Sequence, residues 1–371
     1  MFPIIKSANK FNGYIFVTIA IMFLAYSLPL FATYIKKTEN PGQLYLDGKL
    51  MRDFESMYDK RFFIRDFSIK FWGSLQYILF KEGQPGVVVG KDGWLFSSEE
   101  LVSTNNVEQR LAAYSENIIG VREKLKAFNI ELLVLPVPLK TVVYQEYVGE
   151  IPDEKINTLY LEFSSWLEAN SISYINLEEE FKSLKNKEHL YFKKDTHWTP
   201  EAANYAANLV GKKLCESECV DLEDDIFVTK VTGEAVINGD LNNFINVFDF
   251  INKKLDRTES ANIYLTEKVI EDVGEDDLFT DQGVDFVVVG SSYTDDDRWN
   301  FMGFLEDATN SNFVKYSNKG KGSFAAMDDF FEKGLSETNE AKYVIWEIPV
   351  RSFYTDPRFK PRFSINQNQF F

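Results

Sequence analysis

A chain of 371 residues with only two histidines, His189 and His197, has few side chains that can shuttle protons near neutral pH. His197 sits in Asp195-Thr196-His197-Trp198-Thr199-Pro200. Residues two apart in an extended segment point to the same side. The Asp195 carboxylate can therefore reach one imidazole nitrogen of His197, fix its tautomer and favour the protonated ring during proton transfer. His189 lies in Lys185-Asn186-Lys187-Glu188-His189, which reads as a solvated surface segment. A matching nucleophile is offered by Gly290-Ser291-Ser292-Tyr293-Thr294, which follows the apolar run Phe286–Val289 directly. A small-residue turn at the carboxyl end of a buried strand exposes a hydroxyl, and its backbone N–H groups can stabilise a developing oxyanion. Taken singly, the serine turn is most simply a turn and the Asp–His pair a capped helix start with a buried histidine. Together they supply the nucleophile, base and orienting carboxylate that acyl transfer requires.

These residues need elements to hold them. Thr199 as N-cap and Pro200 at the first helical position open a helix through Leu214. Glu131–Leu135, Ile172–Ile175, Phe286–Val289 and Tyr343–Trp346 read as short apolar strands, the first ending at Pro136. Helical spacing over Val107–Phe128 and Leu177–Leu184 alternates with them, which predicts a parallel sheet covered by helices. Val87–Val89 and Trp94–Phe96 flank an Asp92-Gly93 hairpin turn, and Leu50–Phe80 reads as one or two amphipathic helices. Residues 221–283 are acidic and irregular, and suggest an insertion.

The run Phe11–Ile35 carries no charge and is bracketed by Lys6, Lys10, Lys36 and Lys37. About 20 apolar residues suffice to cross a bilayer as a helix, so residues 1–38 read as an uncleaved anchor and 39–371 as the functional domain. Positive charge is balanced across the run and leaves the side of the membrane open. A net charge of −17 argues against nucleic acid as a partner, and an anionic glycan would need basic residues concentrated at the site. Lys182, Lys185, Lys187, Lys193 and Lys194 form such a patch beside His197, though a solvated face reads the same way. The two cysteines, Cys215 and Cys219, could bridge only if the helix ends between them. Metal-ligand spacing is absent, and no metal or cofactor is expected.

Several segments, in order, resemble the SGNH-hydrolase-like proteins of bacterial exopolysaccharide O-acetylation, the alginate O-acetyltransferase family. They are Phe62–Asp66, Gly90–Phe96, Pro136–Lys140 with Tyr144, Asp195–Trp198, Gly239–Leu241, Gly290–Tyr293, Arg298–Phe301 and Trp346–Arg351. The resemblance implies a three-layer SGNH-like α/β domain with a central, mainly parallel sheet behind an N-terminal transmembrane helix. It aligns Ser292 rather than Ser291 with the nucleophile, although Ser291 stands where many SGNH enzymes carry Asp. It implies a Ser292–His197–Asp195 triad, with Lys140, Tyr293, Arg298, Asn300 and Arg351 contacting ligand or bracing the site. It also implies a periplasmic domain on an inner-membrane anchor, in the layout of the anchored members without an added carbohydrate-binding domain. The implied partners are a polysaccharide acceptor, a membrane-bound O-acyltransferase as acetyl donor and other secretion components. An acetyl esterase and a non-catalytic glycan-binding or scaffold role are the alternatives.

Overall fold

The uncharged N-terminal run folds as one long helix, α1 (Lys10–Lys37). Its segment Phe11–Lys37, with mean hydropathy 2.2, is long and apolar enough to cross a membrane. The computed structural model describes residues 10–101, 107–149, 155–216, 226–269, 286–318, 320–335, 338 and 341–355. The chain divides into two units, Met1–Trp72 and Gly73–Phe371. The first holds α1, α2 (Pro41–Leu46), α3 (Lys49–Arg61) and the start of α4 (Arg65–Phe80). The amphipathic stretch thus makes two long helices, α3 and α4, after a single short turn.

In the second unit β1 (Val87–Val89) pairs antiparallel with β2 (Leu95–Ser97). The turn between them places Asp92 and Gly93 at φ of 52° and 79°, the left-handed region that an Asp-Gly pair tolerates. There follow α5 (Val107–Lys126), β3 (Glu131–Val137), α6 (Lys140–Val143), α7 (Gln145–Val148), α8 (Lys155–Ala169), β4 (Ser173–Tyr174), α9 (Leu177–Leu184) and α10 (Pro200–Glu216). Next come β5 (Ile226–Asn238), α11 (Asp249–Asn252), β6 (Thr258–Val269) and β7 (Phe286–Gly290). The chain continues through α12 (Ser292–Asp295), α13 (Phe301–Thr309), β8 (Phe313–Ser317), α14 (Ser323–Asp329), β9 (Tyr343–Pro349) and α15 (Ser352–Thr355).

Five strands form one sheet in the order β4-β3-β9-β7-β8, every pair parallel. Side chains alternate between faces along each strand. Leu133, Leu135, Val288 and Ile345 enter one core with α10 and α13. Leu132, Val134, Val287 and Val344 enter the other with α5 and α8. Burial on both faces explains why these strands read as continuous apolar runs. The architecture is the expected three-layer α/β sandwich. The order reverses between β3 and β7, so the carboxyl ends of β3, β9 and β7 meet along one edge, where such sheets bind ligands.

Two sequence expectations are corrected. Strand β3 runs past Pro136 to Val137. Val134 accepts from Ile175 N on the β4 side, and Pro136, two residues on, turns its missing N–H to the same side after β4 has ended. The segment expected to be irregular contains a two-stranded antiparallel ribbon, β5 with β6, running from Ile226↔Val269 to Asn238↔Thr258. Its inner face packs on α13 through Tyr264 and Phe304, ring centroids 5.0 Å apart. The edge strand β8 and helix α13 also went unread. Cys215 is exposed; Cys219 lies outside the described residues.

Candidate active site

The loop from Lys193 to His197 makes a tight turn rather than the expected extended segment, and that turn brings Asp195 and His197 together more closely than strand spacing would. One carboxylate oxygen of Asp195 accepts the His197 backbone N–H at 2.9 Å and faces His197 Nδ1 at 2.6 Å. The other oxygen accepts the Asp240 N–H at 3.0 Å. Almost every peptide of the loop is held. Glu259 accepts the amides of Lys193 and Lys194 at 2.8 and 2.9 Å. Lys140 Nζ donates to the carbonyls of Leu95, Lys193 and Asp195 at 2.6, 3.1 and 2.9 Å. Asp240 accepts Thr196 N and Thr196 Oγ1 at 2.8 and 2.6 Å. Tyr293 Oη donates to Thr196 O at 2.7 Å. The imidazole therefore has little freedom to leave its place.

Across from it, β7 ends at Gly290 and α12 begins at Ser292. His197 Nε2 lies 2.8 Å from Ser292 Oγ, which completes a continuous Ser292–His197–Asp195 hydrogen-bond chain. The neighbouring serine is committed elsewhere. Ser291 Oγ donates to the Glu347 carboxylate at 2.9 Å and accepts Tyr293 N at 3.3 Å, so it caps α12. Glu347, fully buried on β9, also accepts Ser291 N at 2.6 Å and Thr294 Oγ1 at 3.1 Å. A Cβ at Gly290 would lie 2.7 Å from Glu347 Oε2, which leaves glycine as the residue that lets this carboxylate approach the turn.

Burial alone would raise the Asp195 pKa, but hydrogen bonds from His197 and Asp240 and the charge of the imidazolium bring it down to about 2. It is an anion at any pH of interest. Burial pushes Lys140 down to about 8 against the pull of Glu100, Glu259, Asp195 and Asp240. Burial also raises the carboxyl of Glu347, opposed by its donors from Ser291 and Thr294 and by Arg351. For Arg351 burial works toward a lower pKa, but Tyr293, Glu100 and other acidic neighbours outweigh it and hold the guanidinium charged.

Of the residues expected at the ligand, two are buried and a third is tied to the ribbon. Lys140 is 1% exposed with its ammonium spent on three carbonyls, and Tyr293 is 1% exposed with its hydroxyl spent on the loop. Asn300 Nδ2 donates to Thr266 Oγ1 at 3.0 Å and so ties the ribbon to the start of α13. Through these bonds all three brace the fold around the site. Arg351 stacks over the Tyr293 ring at 5.3 Å. Arg298 alone of the five has a half-exposed side chain, forked on Asp296 at 2.9 and 2.7 Å and lying over Trp299 at 4.6 Å. Asp195, His197 and Asp240 are close enough to share a cation. Their facing atoms, however, already bond one another and Thr196.

The three-layer sandwich that carries these residues has a counterpart among known proteins. Residues 87–350 match the family model of the SGNH hydrolase-like domain of acetyltransferase AlgX. The chain belongs to this family. It is 31% identical over 339 residues to the probable alginate O-acetylase AlgJ of Pseudomonas fluorescens, covering 91% of this chain and 85% of that one. To the probable alginate O-acetylase AlgJ of Pseudomonas aeruginosa it is 32% identical over 314 residues, covering 82% and 80%. Among solved structures, the O-acetyltransferase domain of Pseudomonas putida AlgJ superposes with a TM-score of 0.65 at 28% identity, covering 73% of this chain and 93% of that one.

Within this AlgX-family domain, sequence reasoning passed over four acids that shape the site: Glu100, Asp240, Glu259 and Glu347. Asp240 and Glu347 stood inside quoted motifs without a role. The signal that could have found Glu347 is an acid inside the apolar strand Tyr343–Pro349, where a carboxylate is buried only if something is bonded to it. Glu100, 1% exposed, accepts Thr141 N at 2.9 Å and has no comparable signature in its surface-like segment Ser98–Leu101.

Proposed function

We propose that the protein O-acetylates a bacterial exopolysaccharide of the alginate class by Ser292–His197–Asp195 acyl transfer. The observation that carries the reading is the unbroken hydrogen-bond chain from Ser292 Oγ through His197 to a carboxylate whose ionised form is favoured. The relatives named as probable alginate O-acetylases support the reaction class. As Ser292 Oγ attacks the acetyl carbonyl, its proton passes to His197 Nε2. The Ser292 N–H at the start of α12, with a neighbouring donor, stabilises the oxyanion. Collapse expels the donor's leaving group, which takes the proton from His197, and leaves acetyl-Ser292. A sugar hydroxyl then attacks the acyl carbon and gives its proton to His197, which returns it to Ser292 Oγ as the ester departs. Asp195 keeps His197 in the tautomer that presents Nε2 to the serine.

In this reading α1 is the inner-membrane anchor, the domain is periplasmic, and a membrane-bound O-acyltransferase supplies acetyl from the cytoplasmic side. The test is incubation of the detergent-solubilised chain with a chromogenic acetyl ester, followed by peptide mapping. Acetyl on Ser292, absent in Ser292→Ala and His197→Ala and retained in Ser291→Ala, is the expected result. Oligouronates should then lower free acetate release as acetyl moves to sugar; undiminished acetate release would make the protein an esterase. Normal polymer acetylation in cells carrying Ser292→Ala would overturn the catalytic reading in favour of a scaffold.

A further inference from the structure

Two carboxylates stand behind His197. Asp195, an anion, lies 2.6 Å from Nδ1, so that nitrogen carries a hydrogen and Nε2 is left to accept from Ser292 Oγ. Thr196 Oγ1 lies 3.3 Å from the same Nδ1. Its own hydrogen goes to Asp240 Oδ2 at 2.6 Å, so toward the ring the hydroxyl has only a lone pair to offer. The Nδ1–H thus faces two acceptors, one a carboxylate and the other a hydroxyl polarised by a second carboxylate. Asp240 Oδ2 itself is 4.0 Å from Nδ1, close enough for its charge to act on the ring.

The local structure brings Asp240 to this place. A Cβ on Gly239 would lie 2.0 Å from Lys194 O and 2.8 Å from Asp195 N, so glycine lets the segment lie directly on the loop. The Asp240 N–H then holds Asp195 Oδ2 at 3.0 Å, and Asp240 Oδ1 holds Thr196 N at 2.8 Å. Those two bonds suffice to brace the loop. The third, from the Thr196 hydroxyl to Oδ2, fixes a rotor instead. A threonine hydroxyl free to turn could donate to Nδ1 and support the tautomer with its hydrogen on Nε2, which cannot take the serine proton. With its hydrogen committed to Asp240, the hydroxyl has none to give. The side chain of Asp240 is 43% exposed against 3% for Asp195, so water screens the second carboxylate more and makes it the weaker of the two.

We propose that Thr196 and Asp240 are positioning residues that form a second arm behind His197, parallel to Asp195. The arm disfavours the unproductive tautomer and shares the charge of the imidazolium that forms at each proton transfer. It rests on the reading of Ser292–His197–Asp195 as the acyl-transfer chain.

The test uses the detergent-solubilised full chain and substitutions that keep the bracing bonds. Thr196→Val is nearly isosteric and retains the N–H that Asp240 accepts, and the carboxylate it strands is exposed enough to be hydrated. With a chromogenic acetyl ester it should lower kcat about tenfold at constant KM, the weight of one hydrogen bond to a charged ring. Thr196→Ser, which keeps the hydroxyl, should restore most of the loss. Asp240→Asn should cost at least as much as Thr196→Val, since its amide can donate to Oγ1 and free the hydroxyl's hydrogen for Nδ1. Full activity in Thr196→Val, or a loss that Thr196→Ser does not repair, would overturn the proposal. A second readout needs no turnover. His189 is exposed, so its ring hydrogens exchange with water and the His197 Nδ1–H is left as the downfield histidine proton resonance. That resonance should move in Thr196→Val and Asp240→Asn and keep its place in Thr196→Ser. A resonance that stays put in all three would show that Nδ1–H answers to Asp195 alone, and would overturn the arm. Absence of acetyl-Ser292 in the unsubstituted chain would instead strike the acyl-transfer reading, while the resonance still decides whether the arm exists.

Discussion

The two halves of the candidate site are held by opposite means. The serine turn is placed by its own strand: β7 delivers Gly290 to the sheet edge, α12 starts at once, and a single carboxylate, Glu347, pins the corner. The loop carrying Asp195 and His197 belongs to no strand or helix and is fixed from elsewhere, by Lys140, Asp240, Glu259 and Tyr293. Regular structure positions a residue through a ladder of backbone bonds. A loop must find a side-chain partner for each buried peptide group, so its geometry depends on residues distant in sequence.

The comparison predicts a hierarchy of damage. The largest effect expected short of removing the nucleophile or base is at Asp195. Asp195→Asn keeps the shape but replaces an acceptor with a donor facing His197 Nδ1, which favours the wrong tautomer and weakens the imidazolium. A fall of about 10⁴-fold in kcat is expected by analogy with other Ser-His-Asp sites. Single-turnover acetylation of Ser292 measures it, and a loss below tenfold would mean that His197 needs no carboxylate. The depressed Asp195 pKa also contributes stability. It is present above the unfolded value near 4 and is lost as pH falls through about 2. Acid unfolding of wild type and Asp195→Asn should therefore converge at the bottom of that window.

Next comes Lys140, which shows how much the loop owes to its braces. Lys140→Met leaves three buried carbonyls without their donor, and should cost about 2–4 kcal/mol of stability and about 10²-fold in kcat. The pH dependence gives a sharper signature. Because the folded-state pKa is lowered to about 8 from the ordinary 10.5, the unfolded chain binds the extra proton between those values. Stability contributed by this group therefore rises with pH across that window. Activity should move the other way, since a neutral amine has two N–H groups for three carbonyls. Chemical denaturation and kcat followed over pH 8–10.5, as the difference between wild type and Lys140→Met, test both signs. Parallel trends would sink this account of the loop.

Glu347 is the corresponding brace of the serine turn, and a smaller effect is expected because the strand does most of the placing. Glu347→Gln retains an acceptor for Ser291 N but weakens the bonds from Ser291 and Thr294. The expected cost is about 1–2 kcal/mol in thermal unfolding and about tenfold in kcat. A loss equal to that of Lys140→Met would erase the distinction between the two halves.

What could be read in the sequence follows the same division. Asp195, His197, the Thr199–Pro200 helix start and the strand before Gly290 carry their signals within a few residues. Local periodicity and capping reported them, and the sheet with them. The ribbon β5–β6 escaped because its segment Thr258–Val269 mixes Thr, Glu, Ser and Lys with a single buried residue, Ala261. The edge strand β8 escaped because Lys315 and Ser317 interrupt its apolar run. Asp240, Glu259 and Glu347 escaped as site residues because each acts on a peptide group more than 40 residues away. No spacing rule reaches that far. For Lys140 and Tyr293, chemistry-bearing side chains near the site suggested ligand contact, whereas their burial makes them part of its frame.

Arg298 should give the smallest effect, and it tests whether anything of the ligand-binding expectation belongs to the surface. Its pair with Asp296 is exposed on the arginine side, and such pairs contribute about 0–1 kcal/mol. Arg298→Ala should therefore leave thermal unfolding almost unchanged. The Asp296 carboxylate already neutralises part of the guanidinium, so a passing anion sees a weakened charge. If a polyuronate nevertheless runs past Trp299, losing Arg298 should raise KM for an oligouronate acceptor about three- to tenfold with kcat unchanged, the pattern of uniform binding. The rise should shrink with added salt, because an exposed pair is screened within about 10 Å at 0.1 M. Arg298→Lys should restore it in part. A drop in kcat at constant KM would instead place Arg298 with the braces, acting through Asp296 on the turn that carries Ser292.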